Sequence, residues 1–361
     1  MTRIYLIRHA EAEGNIYRRA HGHYNGMVTQ KGIKQINLLK ERFIDEQIDA
    51  VYSSDLIRAA HTATAISKPR NIEISKTEQL REVDMGAWED KPWGEIEYSD
   101  YEMNIHFNSD PAKWYISGCE SYGNVGKRML KCITDIAKKH SGKTIAVFSH
   151  GFAIRTLICL LRSVNSNETH KVPYCDNTAV TYIKYDNNEL EIEFAGDNSH
   201  LGKANSTLER QSWWRAEEIR KPENLRYLPL NDVAGDSLVR IFKAKGGARA
   251  QVNLQYAAYL SDEPIGIIGL DTLREENRKT GWISYIHVIP HQREKSFGTQ
   301  LLGLAISDFR KLKREKLHIE MPSGSPGINF MIKCGFRVLL TTETNCLMEK
   351  DIRNWDVDDS L

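Results

Sequence analysis

Four short segments carry the residues best suited to chemistry: Leu6-Ile7-Arg8-His9-Ala10-Glu11, Ser53-Ser54-Asp55-Leu56-Ile57-Arg58-Ala59, Leu80-Arg81-Glu82-Val83-Asp84-Met85-Gly86 and Phe148-Ser149-His150-Gly151. Together they supply two arginines, two histidines and a carboxylate. The planar forks of Arg8 and Arg58 match the oxygens of a phosphoryl group. A neutral imidazole at His9 can attack phosphorus, provided its other nitrogen donates to a fixed acceptor that holds the tautomer. Glu82 can hand a proton to the departing alkoxide, the adjacent phosphate dianion favouring its protonated form, and can take one back from water in the second step. Arg8, Arg58 and His150 would hold the equatorial oxygens throughout. No metal is needed. An Arg-His pair or a Ser-His-Gly run alone is an ordinary structural feature, so the inference rests on the ordered set.

The elements that must gather these segments are legible in the apolar pattern. Ile4 to Ile7, Ala50 to Tyr52 and Thr144 to Phe148 read as short buried strands. Gly32 to Phe43, a stretch opening near Asp55, Val125 to Lys139 and Phe152 to Leu161 read as helices. Strand alternating with helix predicts a three-layer α/β/α sandwich with a mostly parallel sheet, closed by a hairpin over Thr178 to Tyr185 and Glu189 to Phe194. In such a sheet the C-terminal strand ends share one edge, and each of the four segments starts at or just beyond a strand end. Arg58 and His150 also fall at or near helix N-termini, which favour anions.

With these residues the first half resembles the histidine phosphatase superfamily, the phosphoglycerate-mutase-like group, over about residues 1 to 201. Further matching segments are Glu13-Gly14-Asn15, Val28-Thr29-Gln30-Lys31-Gly32, Gly86-Ala87-Trp88-Glu89, Gly118-Cys119-Glu120-Ser121 and Ser199-His200-Leu201. The resemblance implies that Arg8, His9, Arg58, Glu82 and His150 carry catalysis and that Asn15 lies near the phosphate. Ala10 stands where the family usually has glycine. A mutase acting on an acidic glycerate needs extra basic residues around its pocket. The expected lid, about Lys91 to Ser117, has Lys91 and Lys113 but no arginine, and it is rich in aromatics (Trp93, Tyr98, Tyr101, Phe107, Trp114, Tyr115). These either pack the lid or line a roomy, partly apolar pocket. Hydrolysis of a small-molecule phosphoester is favoured over mutase chemistry.

A polar stretch with Trp213-Trp214 and a Lys221-Pro222 break separates this half from a second series. Strands are expected over Gln251 to Leu260, Ile265 to Leu270, Trp282 to Val288 and Leu317 to Met321, with helices over Gly298 to Lys313 and Gly327 to Lys333, and a hairpin from Phe336 to Met348. The loop His291-Gln292-Arg293-Glu294-Lys295-Ser296-Phe297-Gly298-Thr299 joins a strand to a helix start, where small residues let backbone N–H groups approach an anion. This order, ending in Phe330-Met331-Ile332-Lys333-Cys334-Gly335-Phe336, resembles the GNAT acetyltransferase family over about residues 226 to 350. It implies an α+β domain with a mixed sheet. Acetyl-CoA is then the co-substrate, its pyrophosphate on Arg293, Lys295, Ser296, Phe297, Gly298 and Thr299 and its pantetheine arm beside the strand ending at Val288. A small amine is the acceptor. Ser296 replaces the first glycine of the family's loop. Met331 stands where many members carry the tyrosine that protonates the leaving thiolate, and a thioether cannot donate a proton. Cys334 is either a substitute donor or a core cysteine, and Glu320 and His287 are both candidates for the base.

The domain reading is therefore 1–203 for the phosphatase, 204–225 for a linker and 226–361 for the GNAT-like domain. Length supports two cores, the chain having 361 residues. With 49 basic against 48 acidic residues, net charge +1, there is no global field for nucleic acid or a membrane surface. The opening apolar run meets Arg8 too soon for a signal peptide or membrane span, and six scattered cysteines fit a reducing, cytoplasmic setting. A homodimer is left open. The alternatives are a non-catalytic acetyl-CoA-sensing module attached to a phosphatase, and a mutase.

Overall fold

Two sheets, each with its own core, organise the chain in a computed structural model that describes residues 1–215, 222–230, 252–275 and 279–353. The first sheet contains β1 (Thr2–Arg8), β2 (Ala50–Ser53), β3 (Ile74–Lys76), β4 (Thr144–Ser149), β5 (Val180–Asp186) and β6 (Glu189–Asp197). Its order is β3-β2-β4-β1-β5-β6, parallel from β3 to β1, with β5 and β6 forming the expected antiparallel hairpin. The helices of this half are α1 (Glu13–Tyr17), α2 (Gln30–Arg42), α3 (Ile57–Arg70), α4 (Trp93–Ser99), α5 (Tyr101–Ser109), α6 (Tyr122–Lys139) and α7 (Gly151–Leu161).

Strand alternation divides the core into two faces. Ile4, Leu6, Ile145 and Val147 pack with Val125, Met129 and Ile133 of α6 and Leu157 of α7. Ile7, Ala146 and Phe148 pack on the opposite side with Ile36 and Leu39 of α2 and Ala63 and Ile66 of α3. Helices α2 and α6 begin on the caps the sequence offers: Thr29 accepts from Gly32 N, and Ser121 from Asn124 N. The lid region forms α4 and α5, which the apolar pattern does not announce. Trp88, Trp93, Phe107, Trp114 and Phe152 pack on one another, with ring centroids 5.0 to 6.2 Å apart. Lid packing thus absorbs three of the six lid aromatics, Trp93, Phe107 and Trp114, while Tyr98, Tyr101 and Tyr115 stay exposed.

After α8 (Gly202–Asn205), the second sheet contains β7 (Leu225–Pro229), β8 (Leu254–Leu260), β9 (Glu263–Asp271), β10 (Thr280–Val288), β11 (Lys316–Pro322), β12 (Arg337–Thr341) and β13 (Asn345–Asp351). The order is β12-β13-β11-β10-β9-β8-β7, and only β10 and β11 are parallel. The sequence reading has no strand at β7. Among the described residues this strand lies at the sheet edge and ends at Pro229, a position where proline is tolerated. Gln251, the expected start of β8, lies outside the described residues. α9 (Phe297–Lys311) covers the sheet with Leu301, Leu302, Ala305 and Phe309, and α10 (Gly327–Lys333) follows β11.

The parallel pair meets only over Thr280–Ile283 and Lys316–Ile319. Beyond a bulge at Ser284, β10 stays on β9 as far as Val288, and β11 stays on β13 as far as Pro322. The two strands therefore part and leave a wedge.

The halves are packed together rather than strung apart. Tyr17 of α1 is 5% exposed and belongs to the second core, with Ile16 beside it. It lies against Gly303 of α9, where an added Cβ would stand 2.4 Å from Tyr17 Cβ. Gly94 of α4 similarly meets the backbone of Leu225, and the Arg226 guanidinium lies 3.8 Å from the Tyr98 ring centroid.

Candidate active site

The C-terminal edge of the first sheet brings the first constellation together. Arg8 ends β1 and His9 follows it; Ser149 ends β4 and His150 caps α7. Arg58 is in the first turn of α3, after β2, and Glu82 follows β3. The His9 and His150 rings lie 5.1 Å apart between centroids. A Cβ on Gly151 would come 3.2 Å from Arg8 Nε, so glycine leaves room for the guanidinium.

His9 is 6% exposed and its Nδ1 lies 2.7 Å from the Ala10 carbonyl oxygen. A carbonyl only accepts, so Nδ1 carries the proton and Nε2 keeps the lone pair. Burial first, then the positive charges of Arg58 and Arg8, hold the ring neutral to well below the ordinary histidine range. His9 is fixed from behind as well: Asn177 Nδ2 donates to its carbonyl at 2.9 Å, and its own N–H donates to Ser149. His150 is completely buried and is held neutral by burial, then by Arg58 and His9. Arg8 Nη1 donates to the Cys175 carbonyl at 2.6 Å. Arg8 Nε and both ring nitrogens of His150 are buried without a hydrogen-bond partner among the described residues. Buried polar atoms left this way cost about 1–3 kcal/mol each, and phosphoryl oxygens are acceptors of the kind that Arg8 Nε–H and the single N–H of a neutral His150 lack.

Two members are engaged by backbone. Arg58 donates from Nη1 to Tyr24 O (2.8 Å) and from Nη2 to Gly22 O (2.7 Å) and His21 O (3.3 Å), and burial lowers it to about 10. The Glu82 carboxylate accepts from the N–H groups of Val83, Phe152 and Ala153 at 2.9 to 3.0 Å, so the start of α7 holds it. Asn15, expected near the phosphate, spends its amide oxygen on Ala12 N at 2.9 Å and so closes the first turn of α1.

The sequence reading missed Arg128. It pairs with Glu120 at 2.7 Å and donates to the carbonyls of Gln79, Arg81 and Glu82, pinning the loop that carries Glu82. Nothing local marks it, because it lies off the apolar stripe of α6. A separate cavity of about 410 Å³ lies between the halves, near Arg19, Asp90, Tyr227, Tyr256, Asp308 and Lys311. It is not at the phosphate cluster.

The second constellation lies beside the wedge. Ser296 has φ +66° and Glu294 φ +63°, left-handed conformations that side chains other than glycine rarely take. The N–H groups of Glu294, Lys295, Ser296, Phe297 and Gly298 have no acceptor among the described residues, whereas Thr299 N donates to Ser296 O. Five consecutive unspent donors at a helix start suit a pyrophosphate. Arg293 folds back, its Nε donating to Val288 O at 2.9 Å. The Lys295 ammonium donates to Gln292. Met331 is fully buried in the second core. Cys334, raised by burial, has its thiol on Thr299. Glu320 is exposed on β11, and His287 is half-buried on β10.

Comparison with known proteins supports both halves. Residues 4–198 match the family model of the histidine phosphatase superfamily (branch 1), and residues 213–336 match that of the acetyltransferase (GNAT) family. Phosphoserine phosphatase 1 of Hydrogenobacter thermophilus is 29% identical over 203 residues, covering 56% of this chain and 96% of that protein. A probable phosphoglycerate mutase, GpmB of Yersinia pestis, is 26% identical over 206 residues, covering 56% and 95%. Among solved structures, Bacillus stearothermophilus YhfR matches at 31% identity and TM-score 0.54, covering 55% of this chain and 99% of that one. A phosphoserine phosphatase of Entamoeba histolytica bound to phosphoserine matches at 27% and TM-score 0.50, covering 56% and 100%. With more than half its length in the phosphatase match, this chain belongs to the histidine phosphatase superfamily, branch 1, and continues into a GNAT-family domain.

Proposed function

We propose that the first half hydrolyses a small phosphomonoester through a phosphohistidine on His9. The observation that carries this is the His9 ring, fixed in one tautomer by Ala10 O and kept neutral between two arginines. Nε2 attacks phosphorus while Arg8, Arg58 and His150 hold the oxygens. The P–O bond to the leaving group breaks, and Glu82 gives the departing oxygen its proton. Water then attacks the phosphohistidine, Glu82 takes its proton, and phosphate leaves with Nε2 restored. Relatives named phosphoserine phosphatase favour a phosphoserine-like ester. The test is a phosphate-release screen over metabolite phosphoesters, including phosphoserine and phosphoglycerates. Phosphate transfer between glycerate positions without net release would replace hydrolysis by the mutase reading that other relatives suggest.

We further propose that the second half is an acetyl-CoA-dependent N-acetyltransferase acting on a small amine. Acetyl-CoA, when bound, supplies the activated acetyl group. The free N–H groups of residues 294–298 would receive its pyrophosphate, and the wedge beyond Ser284 would admit its pantetheine arm beside β10. Because Met331 is sealed in the core, the leaving thiolate finds no proton donor there. This keeps the acetyl-CoA-sensing alternative in play, and acetylation of an amine panel separates the two. Free thiols at all six cysteines suit the reducing, cytoplasmic setting proposed for both activities.

Ser296→Gly should relieve the left-handed strain, adding about 1 kcal/mol of stability and tightening acetyl-CoA binding severalfold. Thermal melts and calorimetric titration check it. Unchanged or weaker binding would remove residues 294–298 as the pyrophosphate cradle.

A further inference from the structure

The phosphate cluster is built wholly from the first half, yet one guanidinium of the second half reaches toward it. Arg310, in the last turn of α9, grips Glu13 of α1 with both arms, Nη1 to Oε2 at 2.7 Å and Nη2 to Oε1 at 3.0 Å. Its Nη1 also lies 3.4 Å from the Tyr24 hydroxyl, and its Nε donates to Ile352 O at 2.6 Å. Both partners are largely buried, with Glu13 at 8% and Arg310 at 12% side-chain exposure. Burial pushes the Glu13 carboxyl up, and Arg310 more than offsets this, leaving it below its ordinary value. A desolvated bidentate pair is geometrically specific in a way that surface pairs are not.

Glu13 closes the loop that follows. Its Oε2 accepts from Met27 N at 3.0 Å, and its own N–H donates to Met27 O at 2.9 Å. Between these ends run His21, Gly22 and Tyr24, whose carbonyls accept the hydrogen bonds of the Arg58 guanidinium. The His21 ring also lies against the Tyr24 ring, 4.4 Å between centroids. The path from α9 to the phosphate cluster is thus short: Arg310 to Glu13 and Tyr24, these to the 21–27 loop, and the loop to Arg58.

We infer that Arg310 is a positioning residue for the phosphatase reaction, setting through Glu13 and the 21–27 loop the direction in which Arg58 presents its guanidinium. The phosphatase relatives compared above cover 55–56% of this chain, and Arg310 belongs to the second half, so this clamp is a contribution of the second half. The inference rests on reading Arg58 as a phosphate ligand.

The experiment uses the full chain and measures kcat, KM and the inhibition constant of inorganic phosphate. Arg310→Ala should lower kcat/KM about 10- to 100-fold, as small misplacements of a catalytic group do, and raise the phosphate inhibition constant. Glu13→Gln keeps an acceptor for Met27 N but loses the charge, so it should move both readouts the same way. Arg310→Lys, which keeps one contact, should fall between. The double variant should lose no more than Arg310→Ala alone, because the residues act as one unit. Gln300→Ala is the control for loosened packing: it removes hydrogen bonds to Glu223 O and from Leu225 N on the same helix. It should lower the melting temperature without moving the phosphate constant.

Wild-type phosphate inhibition and kcat/KM in folded Arg310→Ala would overturn the inference, as would equal loss in Gln300→Ala. Should Arg310→Ala not fold, Glu13→Gln decides by the same readouts. Arg58→Ala separates the levels. Its retention of full phosphate affinity would sink the reading of Arg58 itself, whereas its loss beside an intact Arg310→Ala would sink only the role given to Arg310.

Discussion

Replacing His9 with alanine is expected to lower the rate of phosphate release by at least about 10⁴-fold, since a covalent route loses its attacking atom. Arg8, Arg58 and His150 would still hold a phosphoester, so KM should change far less than kcat. The decisive readout is covalent. Wild-type protein quenched during turnover of a labelled ester should carry acid-labile, base-stable label, and His9→Ala should carry none. The pH profile adds a second check. Because the His9 ring is held neutral well below its ordinary value, kcat/KM should not fall as pH drops through about 6.5, the unperturbed value for histidine. A rate that survives His9→Ala, or label retained by that variant, would remove His9 as nucleophile.

The second large effect belongs to Glu82. Glu82→Gln keeps the shape but cannot give or take the proton, and its amide nitrogen would face N–H donors of α7. A loss of about 10² to 10⁴-fold in kcat is expected for an alkyl phosphate, the usual scale for general acid–base catalysis. With p-nitrophenyl phosphate, whose leaving group departs without a proton, formation of the phosphohistidine should be much less affected. Label should then accumulate, because the water step still needs the base. Equal loss with both esters and no accumulation would make Glu82 a structural cap of α7.

How far the sequence reaches depends on the range of the interaction. Strand ends are set by local apolar pattern, so Arg8, His9, Arg58, Glu82 and His150 could be assigned to one sheet edge, and the structure gathers them there. The stripe Val125, Met129, Ile133 and Ile136 likewise has a period of its own, and all four residues are buried. Arg128 and Arg310 were invisible for the opposite reason. Each acts through partners distant in sequence (residues 79–82 for the first, Glu13 for the second), and a charged residue off the apolar stripe of its helix looks like any solvated side chain. β7 escaped notice because an edge strand ending in proline lacks the alternation of its neighbours. The aromatic lid shows a third limit: composition reveals many rings, but only packing shows that Trp93, Phe107 and Trp114 face each other while the three tyrosines face outward.

The placement of Tyr17 bears on how the molecule comes apart. A side chain from the first half that completes the second core cannot stay buried once the halves separate, and Ile16 leaves with it. Cutting the chain in the 204–225 stretch would therefore expose a greasy stub on one fragment and an unfilled notch over Gly303 on the other. The second core is complete only with residues of the first half, and heat should melt the two in a common transition.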